Sequence, residues 1–164
     1  DPQPLIQDDK ANKKSTSTRP KQPRHPQRLP YDKDTAARLK SLGSWKLENL
    51  YLSLCRVSLQ QNVPLLAVGT WCFLESLTAR AGRQSGDFVA FLNAGYLQQL
   101  GLGDKTQTKA VREALQRVSQ YGNTTKQHES AAYFNGDQLA NDFETLRGVI
   151  IACADEAIRT KKNK

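Results

Sequence analysis

Between residues 10 and 28 stand seven basic side chains and no acidic one: Lys10, Lys13, Lys14, Arg19, Lys21, Arg24 and Arg28. Each can neutralise a phosphate and release its counterions, so the chemistry this run offers is salt-dependent binding of nucleic acid. The run contains no aromatic residue, which removes base stacking and leaves a contact that does not read sequence. The same charge would also keep a plain linker solvated and extended. Of the chain's 24 Lys and Arg, 17 lie outside the run and face 16 Asp and Glu, so the remainder is nearly neutral. A basic arm on a neutral body is the first organising fact.

Glu75 is the second feature with chemical weight. It is a carboxylate inside the most apolar segment of the chain. Burying an unpaired charge is costly, so Glu75 is expected to hold a cation, with Arg80, Arg83, Arg112 and Arg147 as candidates. An internal ion pair or helix-end hydrogen bond suffices for it, since spacing supplies no second acid or histidine on a facing helix. Histidine occurs only at His25, in the arm, and at His128. That scarcity supports no Ser-His-Asp or Cys-His set and, with the isolated cysteines, no zinc site. The run Gly101-Leu-Gly-Asp-Lys-Thr106 faintly resembles a phosphate loop, but Asp104 separates glycine from lysine and a helix precedes it, so the glycines are read as a helix stop. Neither a metal nor a cofactor is expected.

These groups must be carried by helices. Six of the seven prolines lie in residues 1 to 34, with little to bury beyond Leu5, Ile6 and Leu29. Such a segment cannot offset its ordering entropy, and residues 1–34 are expected to be a disordered or extended arm. From Thr35 the pattern turns helical. The expected helices cover Thr35 to Leu42; Ser44, as cap, to Gln60; Pro64 to Ala81; Ser85 or Asp87 to Leu100; Asp104, in a capping box with Gln107, to Gly122-Asn123; and Asp137 to Arg159. Asn62 can cap the third, Pro64 suits its first turn, and Gly82 can stop it. Thr124 to Gly136 reads as a loop. The Pro64–Ala81 segment is apolar nearly all round, as a helix enclosed by others must be. No period-two run is long enough for a strand. The expected fold of residues 35–164 is therefore all-α, a five- to six-helix bundle around a central apolar helix.

Cys55, Cys72 and Cys153 are odd in number, widely spaced and set in helical apolar stretches. They read as reduced core thiols, which favours a cytoplasmic setting, and the sequon at Asn123-Thr124-Thr125 is then a chance match. No apolar run reaches the ~18 to 20 residues of a membrane span. The chain has no Met and begins at Asp1, so a cleaved leader or the rest of a larger protein is expected to precede it.

Residues 47 to 79, LENLYLSLCRVSLQQNVPLLAVGTWCFLESLTA, resemble HEPN-like helical domains found at the C-termini of prokaryotic multidomain proteins, some with ParB-like nuclease or DNA-binding parts in front. Pro64, Phe73, Leu74 and Glu75 match that pattern, and Trp71 stands where it has arginine. The resemblance implies a helical domain attached to something larger, in a DNA-maintenance or defence setting. HEPN ribonucleases carry an Arg-x4-6-His motif near the end of a long helix. Here ten residues separate Arg117 from His128, Gly122-Asn123 intervenes, and the last helix has no histidine. The expected function is accordingly non-enzymatic: an assembly or interaction module, docking or forming a homodimer through an exposed apolar face, whose arm adds nonspecific nucleic-acid affinity. Lys161, Lys162 and Lys164 could add a weaker contact, or simply suit the negative end of their helix. The rival is a dimeric ribonuclease using Arg112, Glu113, Arg117 and His128; a third reading is a dedicated nucleic-acid-binding protein.

Overall fold

A computed structural model describes residues 24–127 and 135–164. The described residues form eight helices and no strand: α1 (Lys33–Leu42), α2 (Trp45–Arg56), α3 (Val63–Arg80), α4 (Phe88–Phe91), α5 (Ala94–Gln99), α6 (Lys109–Gln127), α7 (Gly136–Thr145) and α8 (Arg147–Lys162). The all-helical expectation holds. The count of five to six does not, because two expected helices are each divided in two.

Local chemistry explains most boundaries. Asp32 opens α1 by accepting from the Thr35 backbone N–H, and Gly43, at φ +71°, closes it. Ser44 opens α2 by accepting from the Leu47 N–H. Leu47, Tyr51, Leu54 and Cys55 then point inward from one face of α2. The Asp104–Gln107 box forms in both directions, Asp104 Oδ1 accepting from the Gln107 N–H and Gln107 Oε1 from the Asp104 N–H, but it closes a turn ahead of α6, which begins at Lys109 and not at Asp104 as expected. Asn62 does not cap α3. Its amide donates to Ser58 O instead, while Pro64 sits in the first turn, where it costs no intrahelical bond.

Several expectations give way. α2 ends at Arg56 and does not reach Gln60. The helix expected to run to Leu100 is α4 and α5, since Asn93 accepts from the Tyr96 N–H and starts a new helix. An Asn side chain can compete with helix continuation in this way. The last helix bends at Leu146 (φ −84°, ψ −1°), where α7 ends and α8 begins. The apolar stripe crosses this joint undisturbed, because Leu146 is buried. Finally, α6 runs through Gly122-Asn123 to Gln127 instead of stopping there. Gly122 is buried against α3, where a Cβ would lie 2.3 Å from Trp71 Cβ. Its missing side chain serves close helix packing, not a turn.

α3 packs against α2, α4, α6 and α8, and α1 lies across α8. Tyr51, Phe73 and Phe143 meet at the core, with ring centroids 5.7 and 6.0 Å from Tyr51. Fully burying side chains of this size contributes about 1.5–3 kcal/mol each. The last residues of the arm are fastened to this body. Leu29 is only 2% exposed, Gln27 O accepts from the Leu59 N–H, and Gln60 reaches both Pro26 O and Asp137. His25 Nδ1 donates to Asp137 Oδ2. That bond, and then Gln60, hold the Asp137 carboxyl below its ordinary range.

Candidate polyanion-binding surface

At one end of the molecule α3 and α8 finish and α2 begins. Leu54 packs near Gly69, and the start of α2 shares a groove with Glu75 to Arg83, so α2 and α3 run antiparallel. Ser44, Lys46, Leu47, Ser76, Ala79, Arg80 and Arg83 line that shallow groove. A second groove, lined by Ala157, Thr160, Lys161 and Lys164, continues it and shares Ala79 and Arg80. The joined surface carries five cations, Lys46, Arg80, Arg83, Lys161 and Lys164, and one carboxylate, Glu75.

Glu75 does not neutralise this surface. Arg83 Nη2 donates to Glu75 Oε2 at 2.6 Å and to Glu75 O at 3.0 Å. The Phe88 N–H donates to Glu75 Oε1. Arg83 also donates to Thr78 Oγ1 and Gly86 O. The pair therefore latches the end of α3 to the turn before α4, and of the four candidate partners Arg83 is the one chosen. Lys161 has a structural duty as well: its Nζ donates to Leu42 O, one of the last carbonyls of α1. By contrast, Lys46, Arg80 and Lys164 form no ion pair among the described residues. Unpaired cations around a floor as small as Ala79 allow a phosphate chain to approach closely.

The residues singled out in the sequence are scattered by the fold. Arg24 and Arg28 are exposed, near the start of α3; Lys10, Lys13, Lys14, Arg19 and Lys21 lie outside the described residues. α3 spans 18 residues, so its two ends stand roughly 25 Å apart by helical rise. Arg112 and Glu113 line a separate cleft with Lys105, Thr106, Lys109 and Gln116. Arg117 is turned elsewhere: its guanidinium makes three hydrogen bonds, of 2.8–3.1 Å, to Asp142, whose side chain is fully buried. His128 lies outside the described residues. The three large exposed hydrophobic residues among the described residues, Tyr31, Trp45 and Leu65, are dispersed, with Trp45 and Leu65 at opposite ends of the α2–α3 pair.

Two features escaped the sequence reading. Asp142, three residues after Leu139, stands on the apolar stripe of α7, and that spacing marked it as a buried acid. Lys46 and Arg80 had no such signal, since single cations at helix ends are ordinary.

Among the described residues no group of three His, Cys, Asp or Glu is placed to hold a metal ion. None of their helices is long and apolar enough to cross a membrane. Comparison of the chain with protein-family models, curated proteins and solved structures returned no match.

Proposed function

We propose that this chain is a non-enzymatic helical interaction module of a larger prokaryotic protein that works on nucleic acid, and that it holds the polyanion through cations on its body as well as through the arm. The body is a bundle organised on α3. The observation that carries this reading is the groove where Lys46, Arg80 and Lys164 converge without carboxylate partners, beside Lys161. Each such cation brought to a phosphate releases counterions. The exposed Arg24 and Arg28 add positive charge near the start of α3.

The commitment of Arg117 to Asp142 favours this reading over the ribonuclease. A guanidinium whose Nε–Nη2 edge is taken up by a buried carboxylate has lost the paired donors with which it would clamp a scissile phosphate. The resemblance of residues 47–79 to HEPN-like domains supports the setting, a helical part of a DNA-maintenance or defence protein, as analogy.

Binding of a labelled oligonucleotide measured against salt concentration tests the proposal. The double variant Lys46→Glu, Arg80→Glu should weaken binding and lower the salt slope by about 1.4 for a single strand. Replacing Lys10, Lys13, Lys14, Arg19 and Lys21 by Gln should lower it independently. An unchanged slope in the groove variant would remove the body from the interface. RNA cleavage in the presence of a chelator, lost in His128→Ala, would instead establish the rival.

A further inference from the structure

Trp45 is 79% exposed, the most exposed large hydrophobic side chain among the described residues. It is the first residue of α2, and both its chain neighbours, Ser44 and Lys46, line the basic groove. Asn49 Nδ2 donates to Trp45 O at 2.9 Å, and the Ser44 cap fixes the turn before it, so the backbone presenting the indole is held on two sides. Scattered exposed hydrophobics are ordinary on protein surfaces. This one is distinguished by its place in the chain, between two residues that line the basic groove, one of them the unpaired cation Lys46.

We infer that the groove takes single-stranded nucleic acid, with Trp45 stacking on an unpaired base while Lys46, Arg80 and Lys164 line its phosphates. The inference rests on the polyanion reading above and specifies its ligand. A phosphate chain satisfies the cations whatever its form. Among nucleic acids, only a strand with free base faces can also stack on an indole next to this groove, because in a duplex those faces are stacked on one another. Stacking of a base on an aromatic ring adds affinity with little dependence on sequence. A groove of cations with one aromatic at its edge suits that kind of nonspecific single-strand contact.

The test titrates the full chain with oligo(dT), with a blunt duplex of equal length and with heparin, following tryptophan fluorescence and anisotropy. Oligo(dT) should quench the fluorescence, and Trp45→Leu should remove the quench and weaken oligo(dT) binding about tenfold. Circular dichroism confirms the fold of the variant, which is undemanding because the side chain it replaces is exposed. Duplex and heparin affinities should not change in Trp45→Leu. Equal oligo(dT) affinity in Trp45→Leu and the parent overturns the inference, while loss of binding in Lys46→Glu, Arg80→Glu would leave the polyanion reading standing. If no polyanion binds at all, both fail. Loss of a dimer in Trp45→Leu, by sedimentation, with oligonucleotide binding intact would assign the indole to a protein interface and equally overturn it.

Discussion

Arg117 on α6 closes a bidentate ion pair onto Asp142 of α7 through its Nε and Nη2, and Gln138 adds a fourth hydrogen bond to the same carboxylate. Asp142 is entirely buried, whereas Arg117 keeps about a third of its side chain in solvent. The pair ties two helices together across the segment from His128 to Phe134. Removing one partner of a buried pair strands the other, at about 3–5 kcal/mol for full burial. Asp142→Ala should cost less than that, about 2–3 kcal/mol, because the Arg117 it leaves behind still reaches water. Arg117→Met, which leaves the buried carboxylate unpaired, should cost more. Urea denaturation of the two variants checks the order, and the reverse order would show that the carboxylate finds another donor.

Two glycines on different helices should respond oppositely to the same change. At Gly122 a Cβ would meet Cβ, Cγ and Cδ1 of Trp71 at 2.3–2.7 Å, the rigid root of a side chain already packed. Gly122→Ala should therefore destabilise by about 2 kcal/mol through overpacking. At Gly148, in the first turn of α8, the nearest atom is Leu102 Cδ2 at an ordinary 3.6 Å. Gly148→Ala should stabilise by about 0.5 kcal/mol through lower backbone entropy in the unfolded chain. Thermal midpoints of the two variants should move in opposite directions.

Asp32 should make α1 sensitive to acid. Its Oδ2 accepts from the Thr35 N–H at 2.8 Å and from the Thr35 hydroxyl at 2.7 Å. These bonds, the hydroxyl's first, hold the carboxyl below its ordinary value of 3.8. A depressed folded-state value favours the folded state above pH 3.8, and that contribution disappears as pH falls through the lowered value. Asp32→Ala should cost about 1 kcal/mol at neutral pH. Its stability difference from the parent should shrink below pH 3.8; a constant difference would show that the cap is not what the side chain supplies.

The thiols should separate by burial. Burial raises Cys55 to about 11 and Cys153 to about 12. Cys72 is half-exposed on α3. Iodoacetamide at pH 8 should therefore alkylate Cys72 first, leaving Cys55 and Cys153 protected until the protein unfolds. Peptide mass spectrometry over time reads the order directly.

Helices were legible in this chain because their signals are local. Ser44 caps α2 as its spacing predicts, since a cap closes a hydrogen bond over three residues, and the Asp104–Gln107 hydrogen bonds form too, although they close a turn and α6 starts only at Lys109. Gly82 stops α3, with a positive φ of 115°, for a similar reason. The need of Glu75 for a cation also follows from its apolar surroundings in sequence. Which of four arginines answers it does not. Leu29 was counted with the arm for its composition, yet it is buried because α2 and the segment after it offer it a place.

Tertiary contacts decided everything that joins distant residues. Gly122 has the composition of a helix end, and only the approach of Trp71 shows why α6 continues through it. Arg117 looks like a free cation until Asp142 is brought beneath it. Lys46, Arg80 and Lys164 are 34 and 84 residues apart in sequence, and become one surface because α2 and α3 run antiparallel and α8 ends beside them. Periodicity and capping state what each helix is and which face it hides. The choice of neighbours depends on shape and charge complementarity between whole faces, which no window of adjacent residues contains.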